Sequence, residues 1–352
     1  MFKRSKNLLL AACVAASGSA LAELRQFEMT IDEVDLEVAP GFTTKVWAFN
    51  SQVPGPLIHV EEGDEVEVTV HNLTSLNHTI HWHGMYQTNT WQADGVPDVT
   101  QLGIEPGDSF TYRFVADRVG SLWYHCHVNV AEHVDLRGMW GPMVVRPKTQ
   151  RSSLEKRVTK EAILMFSGWN SEIANEYGTG GHPAEVVDYF SINGKSFPMN
   201  QPLRVKEGDV VRLRIYAPSI PVAFHPHGHD MLVTHKDGMP LPAPYAADTL
   251  PLLPGERYDV IIEMNNPGIW MTHDHIEHHV TNVGKHHTGS MLVIEYEGIE
   301  ASDFYHWKNI DYNPDFYMSE SLRKPFGMHN IDAFAGFDPT LGPPPKNASH
   351  EH

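Results

Sequence analysis

EEGDEVEVTV at residues 61–70 returns as KEGDVVRLRI at 206–215, and PGDSFTYRF at 106–114 returns as PGERYDVII at 254–262. GSLWYHCH at 120–127 is matched by GIWMTHDH at 268–275, and GPMVV at 141–145 by GSMLV at 289–293. The offset stays between 144 and 148 residues, the size of a domain rather than of a solenoid unit. Whatever fold the chain adopts must therefore accommodate two similar halves.

Each half is patterned for strands. In EVEVTV, Val66, Val68 and Val70 fall on one face while Glu65, Glu67 and Thr69 fall on the other. Gly-Asp, Pro-Gly and Asn-Gly breaks punctuate such runs, and no long stretch repeats at 3.6 residues, so an all-β chain of two β-sandwiches is expected. The polar segment KTQRSSLEKR at 148–157 reads as the linker, which bounds the domains at 23–148 and 158–297. From 298 to 352 the composition turns to aromatics, Asp and Pro, ending in GPPPKNASHEH, and predicts an extended arm with a disordered tip.

The chain begins with Lys3, Arg4 and Lys6, a short apolar run and Ala20-Leu21-Ala22, the pattern of a secretory leader cut after Ala22. The run is shorter than the ~20 residues needed to span a bilayer. LLAAC at 9–13 also fits a lipidation site at Cys13, but apolar and small residues continue past it, which favours cleavage after Ala22 and a periplasmic or secreted protein. Without the leader, 23 basic residues face 44 acidic ones, a net charge of −21 that repels phosphate backbones and argues against nucleic acid as a partner. Only Cys126 then remains of two cysteines, so no intramolecular disulfide is available.

That cysteine sits in LWYHCHVNV, between two histidines. Eight of the 23 histidines form four His-x-His pairs: His81/His83, His125/His127, His225/His227 and His273/His275. Residues two apart on a strand face the same way, so each pair offers two imidazoles to one point, and neutral imidazole suits copper, zinc, iron and nickel. The equivalent placement of the pairs in both repeats makes coincidence a poor account. A thiolate with two imidazoles and a weak axial thioether describes a blue-copper site. Near Cys126 the candidates are His78 upstream, and His133 and Met139 on the loop NVAEHVDLRGMWG. Core packing is the ordinary role for Met139, but its place after Gly138 on this loop points to a ligand. The second repeat is an internal control. Shifted by the local offset, His78 falls on Val222, Cys126 on Asp274, His133 on Thr281 and Met139 on His287, so only the first half can hold such a site.

VPGPLIHVEEGDEVEVTVHN, HWHG, ADGVPDVTQ, PGDSFTYRF and WYHCH resemble the motifs of the multicopper oxidases, and the likeness runs from about residue 40 to 297. The resemblance implies two tandem cupredoxin-like Greek-key sandwiches. It also implies about four coppers per chain: one type 1, one type 2 and a type 3 pair. By motif, His78, Cys126, His133 and Met139 would hold type 1 copper, and His81 and His225 type 2 copper. His83, His125, His127, His227, His273 and His275 would hold the type 3 pair. His125-Cys126-His127 would then be a covalent path from the electron-accepting copper to a trinuclear cluster. Larger family members have three domains with type 1 copper in the last. This chain resembles the two-domain branch, with type 1 copper in the first, although Cys126 and His133 lie two residues farther apart than in three-domain members. Asp94 matches a family acid near type 2 copper, and Glu277 one near the type 3 pair. An Asp-Gly turn and plain surface charge are their ordinary readings. His278, His279, His286 and His287 form a further group without an assigned role.

The function implied is one-electron oxidation of a reducing substrate coupled to reduction of dioxygen to water. Phenols, metal ions and a redox protein all remain open as donors. A copper nitrite reductase shares the two domains, but that family follows the cysteine with a residue other than histidine and needs fewer histidines. A plain electron-transfer or copper-binding protein would use Cys126 and leave the paired histidines idle. With only a short linker between the halves, the cluster is expected to form between the first domain of one chain and the second domain of its neighbour. Such a head-to-tail contact must close or run on, and the two-domain relatives suggest a homotrimer.

Overall fold

The computed structural model describes residues 22–149, 152–173, 187–286 and 288–300, without the side chains of Lys285 and His286. The leader through residue 21 with Cys13, the arm beyond 300 with its histidines, and His287 lie outside the described residues.

The first half folds as β1 Leu24–Ala39, β2 Phe42–Phe49, β3 Ile58–Glu61, β4 Glu65–Asn72, β5 His81–His83, β6 Ser109–Val115, β7 Gly120–His125 and β8 Trp140–Arg146. One sheet runs β2-β1-β4-β6 and the other β3-β8-β7-β5. The second half follows with β9 Lys160–Trp169, β10 Tyr189–Ile192, β11 Leu203–Val205, β12 Val210–Tyr216, β13 Val222–Pro226, β14 Met231–Lys236 and β15 Met239–Ala247. Then come β16 Leu250–Leu252, β17 Arg257–Glu263, β18 Ile269–Asp274, the short pair β19 Thr281–Asn282 and β20 Lys285–His286, and β21 Met291–Tyr296. Its sheets run β10-β9-β12-β17-β14-β15 and β11-β21-β18-β13-β16. The all-β expectation holds: the one α-helix among the described residues is a single turn, Val130–His133.

The alternation seen in the sequence is what stacks the sheets. Val66, Val68 and Val70 of β4 are buried against Trp82, Tyr112 and Phe114, while the residues between them reach toward solvent. Each fully buried valine contributes about 1.5–3 kcal/mol of transfer free energy. β12 departs from this pattern because it is buried on both faces. Its Arg212 and Arg214 are matched by Glu155, Glu161 and Asp259, as buried charges must be.

The two sandwiches share an apolar seam in which Trp123, Trp140 and Val53 of the first half meet Met165, Trp169 and Tyr216 of the second. Beside it the second half grips β7 directly. Arg257 Nε donates to the Ser121 carbonyl at 3.0 Å, and Arg214 Nη1 donates to Ser121 Oγ at 2.8 Å and to Asp259 Oδ2 at 2.9 Å. At the start of β7, Gly120 has φ +112°, and a Cβ there would lie 2.1 Å from the Gly238 carbonyl oxygen. Backbone meets backbone, so nothing can step aside.

Gly120→Ala should therefore cost about 2–4 kcal/mol through positive-φ strain and lost contact across the seam. Thermal and urea unfolding should both register the loss. An unchanged midpoint would show that the seam tolerates a methyl group at this point.

Candidate metal centre

β7 ends at His125 and delivers Cys126 into the core. The chain then turns through Asn129, whose φ of 41° is the left-handed conformation that asparagine tolerates, into the Val130–His133 turn. Gly138, at φ +74°, brings it back so that Met139 N–H meets the His133 carbonyl at 3.0 Å and Cys126 N–H meets the Met139 carbonyl at 3.1 Å. The result is a closed pocket. Cys126 Sγ lies 3.1 Å from His133 Nδ1 and 3.7 Å from His78 Nδ1. Met139 is buried in the same core cluster as Cys126. Thr74 Oγ1 holds His78 by its other ring nitrogen at 2.8 Å, and Trp47 packs on both imidazoles, 4.5 Å from His133 and 5.5 Å from His78. Burial pushes the Cys126 thiol up to about 12. Burial, reinforced by the Arg137 guanidinium, pushes His133 down to about 4. A soft sulfur donor and two neutral imidazoles thus converge where only a cation would favour the thiolate, and the donor set fits copper.

The second group lies on the opposite side of the same strand end. In β5 and β7, His81 stands opposite His125, so both pairs point out of the sheet together. Metal-binding atoms of His81, His83 and His125 all lie within 4.8 Å of one another, and the His127 ring centres 5.4 Å from that of His81. His81 Nδ1 donates to the Asp94 carbonyl at 2.9 Å, with Asp94 Oδ1 at 3.3 Å. His125 Nδ1 donates to the Cys126 carbonyl at 2.8 Å. A carbonyl only accepts, so both rings keep Nε2 bare, the form a metal requires. Burial and then the nearby Arg257 guanidinium, contributed by the second half, push His83 down to about 3.

The second half repeats the arrangement. His225 stands opposite His273, and His227 Nε2 lies 3.1 Å from His273 Nε2. The His275 ring centres 5.3 Å from His273 and 5.5 Å from His225. His273 Nδ1 donates to the Asp274 carbonyl at 2.9 Å, as His125 does one residue before Cys126. Glu277 lies beside His275, its Oε1 3.4 Å from Nδ1, and is largely exposed. Within one chain this quartet is open, the His275 side chain being 51% exposed. Among the described residues no ring pair joins the two quartets.

Three features escaped the sequence reading. Asp248 accepts from His225 Nδ1 through its carbonyl at 3.0 Å and has Oδ1 at 3.5 Å, the counterpart of Asp94 at His81. ADGVP at 93–97 returns as ADTLP at 247–251, but at an offset of 154 residues, outside the range the other repeats keep. The fixed offset also misplaced one residue: it carries His133 onto Thr281, whereas His279 lies beside Asp274, with Nδ1 2.6 Å from Oδ2. The intervening turn is two residues shorter in the second half. Arg257, far from any histidine in sequence, gave no signal at all.

Multicopper oxidase family profiles match residues 30–150 and 167–284. A solved multicopper oxidase, mgLAC, is 60% identical with a TM-score of 0.79, over 88% of this chain and 98% of that one. The blue copper oxidase from Nitrosomonas europaea is 53% identical, also at TM-score 0.79 and the same coverage. Oxidoreductase OpS5 of Beauveria bassiana is 33% identical over 278 residues, 70% of this chain and 45% of that protein. The described residues thus form two cupredoxin-type sandwiches, each carrying its own histidine pairs. The chain belongs to the multicopper oxidase family. It spans about half the length of the curated relatives it matches.

Acid should destabilise the copper-free protein through these imidazoles. Folded, His133 gives up its proton at about 4. Unfolded, it would titrate near the ordinary 6.5, so its contribution is complete above about 6.5 and is lost as pH falls toward 4, on the order of 3 kcal/mol. Buried His78 and His125 and half-buried His83 act in the same sense. Urea titrations of copper-free His133→Leu should show a shallower loss of stability between neutral pH and about 4 than the parent. Parallel curves would rule out His133 as a contributor.

Proposed function

We propose that the chain is an exported copper oxidase that takes electrons singly from a reducing substrate and delivers them to dioxygen. The observation that carries this reading is the backbone continuity at Cys126. Its sulfur lies 3.1 Å from His133 in a closed pocket, while His125 on the same strand end packs with His81 and His83. Period-two alternation sends the thiol to one side and its histidine neighbours to the other. Copper held at these donors would supply one-electron oxidation at the sulfur site and oxygen reduction at the histidine sites.

The side chains define what the protein itself does. Cys126, His78, His133 and Met139 are proposed to hold type 1 copper, with Trp47 keeping water off the imidazoles. His81 and His225 are assigned to type 2 copper, and His83, His125, His127, His227, His273 and His275 to the type 3 pair. Carbonyl acceptors fix the tautomers of His81, His125, His225 and His273 so that Nε2 faces the metal position. Oxygen reduction consumes protons. Asp94, 35% exposed and 3.3 Å from His81 Nδ1, can take a proton from solvent and hold it at Oδ1 beside the ring. Glu277 occupies a similar place at His275. The electron donor stays open among phenols, metal ions and a redox protein.

The assembly is part of the same proposal. Each quartet supplies half of the eight histidines, and the second is open in a single chain. Tyr86 and Trp91, each 60% exposed, lie on the loop that carries Asp94 and suit a covered surface. The cluster is therefore assigned to the contact between the first domain of one chain and the second domain of its neighbour, closing as a homotrimer.

Copper content with oxygen uptake tests the function. About four coppers per chain and oxygen consumption are expected, whereas about two would indicate a nitrite reductase-type centre. Cys126→Ser should lose the blue absorption and the activity but keep the copper of the cluster; a blue variant would disprove the thiolate assignment.

The assembly has its own test. Chains carrying His81→Ala with His83→Ala, and chains carrying His225→Ala with His227→Ala, should each be inactive alone. Co-expressed, they should recover part of the activity in mixed trimers, because one interface pairs two intact halves. Verified mixed trimers without activity would place the whole cluster within one chain.

A further inference from the structure

The second half has no cysteine, yet it keeps the pocket where one would stand. Asp274 lies between His273 and His275 as Cys126 lies between His125 and His127, and both are fully buried. In the first half, hydrogen bonding by the backbone at Thr79, Val128 and His127 works against burial at the Cys126 thiol, whose sulfur also lies 3.8 Å from the Val128 carbonyl. In the second, the N–H groups at the equivalent places, Ala223 and Ile276, donate to Asp274 Oδ1 at 2.9 and 3.0 Å. The other carboxylate oxygen accepts from His279 Nδ1 at 2.6 Å, as Cys126 faces His133 Nδ1 at 3.1 Å. His279 is itself fixed: its ring stacks on Phe190 at 4.3 Å, and its carbonyl accepts from Ser290 N–H at 2.9 Å. The His78 position is taken by Val222, which is buried and binds nothing polar with its side chain.

These bonds tie together the segments that carry the second quartet. Ala223 precedes His225 by two residues on β13. Ile276 follows His275, and Asp274 itself ends β18. His275 N–H closes the same junction by donating to the Ala223 carbonyl at 2.7 Å. One carboxylate thus joins both His-x-His segments from behind, on the side away from the open face where His275 is exposed. The Thr272 hydroxyl adds one further bond between the same strands, donating to the His225 carbonyl at 3.1 Å.

We infer that Asp274 is a positioning residue for the second histidine quartet, replacing by hydrogen bonds the strand-to-strand hold that a bound type 1 metal would give at the same place in the first half. This rests on the reading that the second quartet binds copper. A carboxylate suits the task because it presents separate lone pairs to two backbone donors and an imidazole N–H at once. An aliphatic side chain of similar volume would leave all three buried donors unsatisfied.

The test uses the full-length copper-loaded protein and reads metal rather than turnover. Asp274→Leu should keep the blue absorption of the first half while bound copper falls from about four to about one per chain and the type 2 paramagnetic signal disappears. Asp274→Asn retains an acceptor for Ala223 and Ile276 and should hold the full complement. Folded Asp274→Leu with undiminished copper and type 2 signal would overturn the inference, and so would a folded Asp274→Asn stripped to its type 1 copper. If Asp274→Leu does not fold, Asp274→Asn decides alone: full copper with the Ala223 and Ile276 amides still protected from exchange supports the role, and cluster loss overturns it. A parent protein holding only type 1 copper would fail earlier and overturn both readings.

Discussion

Two strand registers underlie everything chemical in this chain: His81 opposite His125, and His225 opposite His273. Side chains alternate with a period of two, so a slip of β5 by one residue would turn His81 and His83 into the core and bring Trp82 out. β5 is only three residues long and lies at the edge of its sheet, too little ladder to fix a register alone. Other contacts hold it. Ile80 N–H donates to the Tyr112 hydroxyl at 2.7 Å, just before His81. The Asp94-Gly95 turn packs so closely on the Ile80 carbonyl that a Cβ at Gly95 would lie 1.8 Å from its oxygen. That contact explains why ADGVP carries a glycine after the aspartate. The glycine lets the turn lie on β5, and the turn presents Asp94 to His81.

β7 then connects the two sites and the two halves. Its last residue, His125, leads directly into Cys126 and His127, while Ser121 near its start is held by Arg214, Arg257 and Asp259 of the second half. The strand that leads into both candidate sites is also the strand the neighbouring domain grips. Arg257 has a second consequence, since its charge helps keep His83 unprotonated and ready to bind metal. Arg257 thus takes part both in docking the halves and in keeping His83 unprotonated.

Most of the fold was legible because strand alternation and turn chemistry are local signals, and the duplication allowed each half to check the other. The histidine pairs were legible for the same reason: spacing of two on a strand has one geometric meaning. What escaped was whatever depends on loop length. Asp248 does for His225 what Asp94 does for His81, but the connection before it is longer, so a fixed offset passes it by. His279 was missed because the turn after His275 is shorter. Arg257 and Ser121 were invisible for another reason, because the packing of one domain on another leaves no periodicity in either.

The two halves answer one structural problem differently. A paired-histidine strand must end on something that fixes its last residues, because the next segment leaves the sheet. In the first half a soft donor set closes around Cys126, and a cation is needed to stabilise the thiolate that burial otherwise suppresses. In the second half Asp274 and His279 close the same junction with no ion, using a carboxylate whose charge is met by two backbone N–H groups and an imidazole. Burying that carboxylate is costly by itself, by several kcal/mol, and is tolerated only because every bond is made. A merely apolar residue at this position would fill the space and leave the backbone donors of Ala223 and Ile276 bare. The residue found at position 274 is the kind that removes the metal and keeps the junction. One duplicated frame thus carries a sulfur-centred donor set in one half and a carboxylate-closed junction in the other.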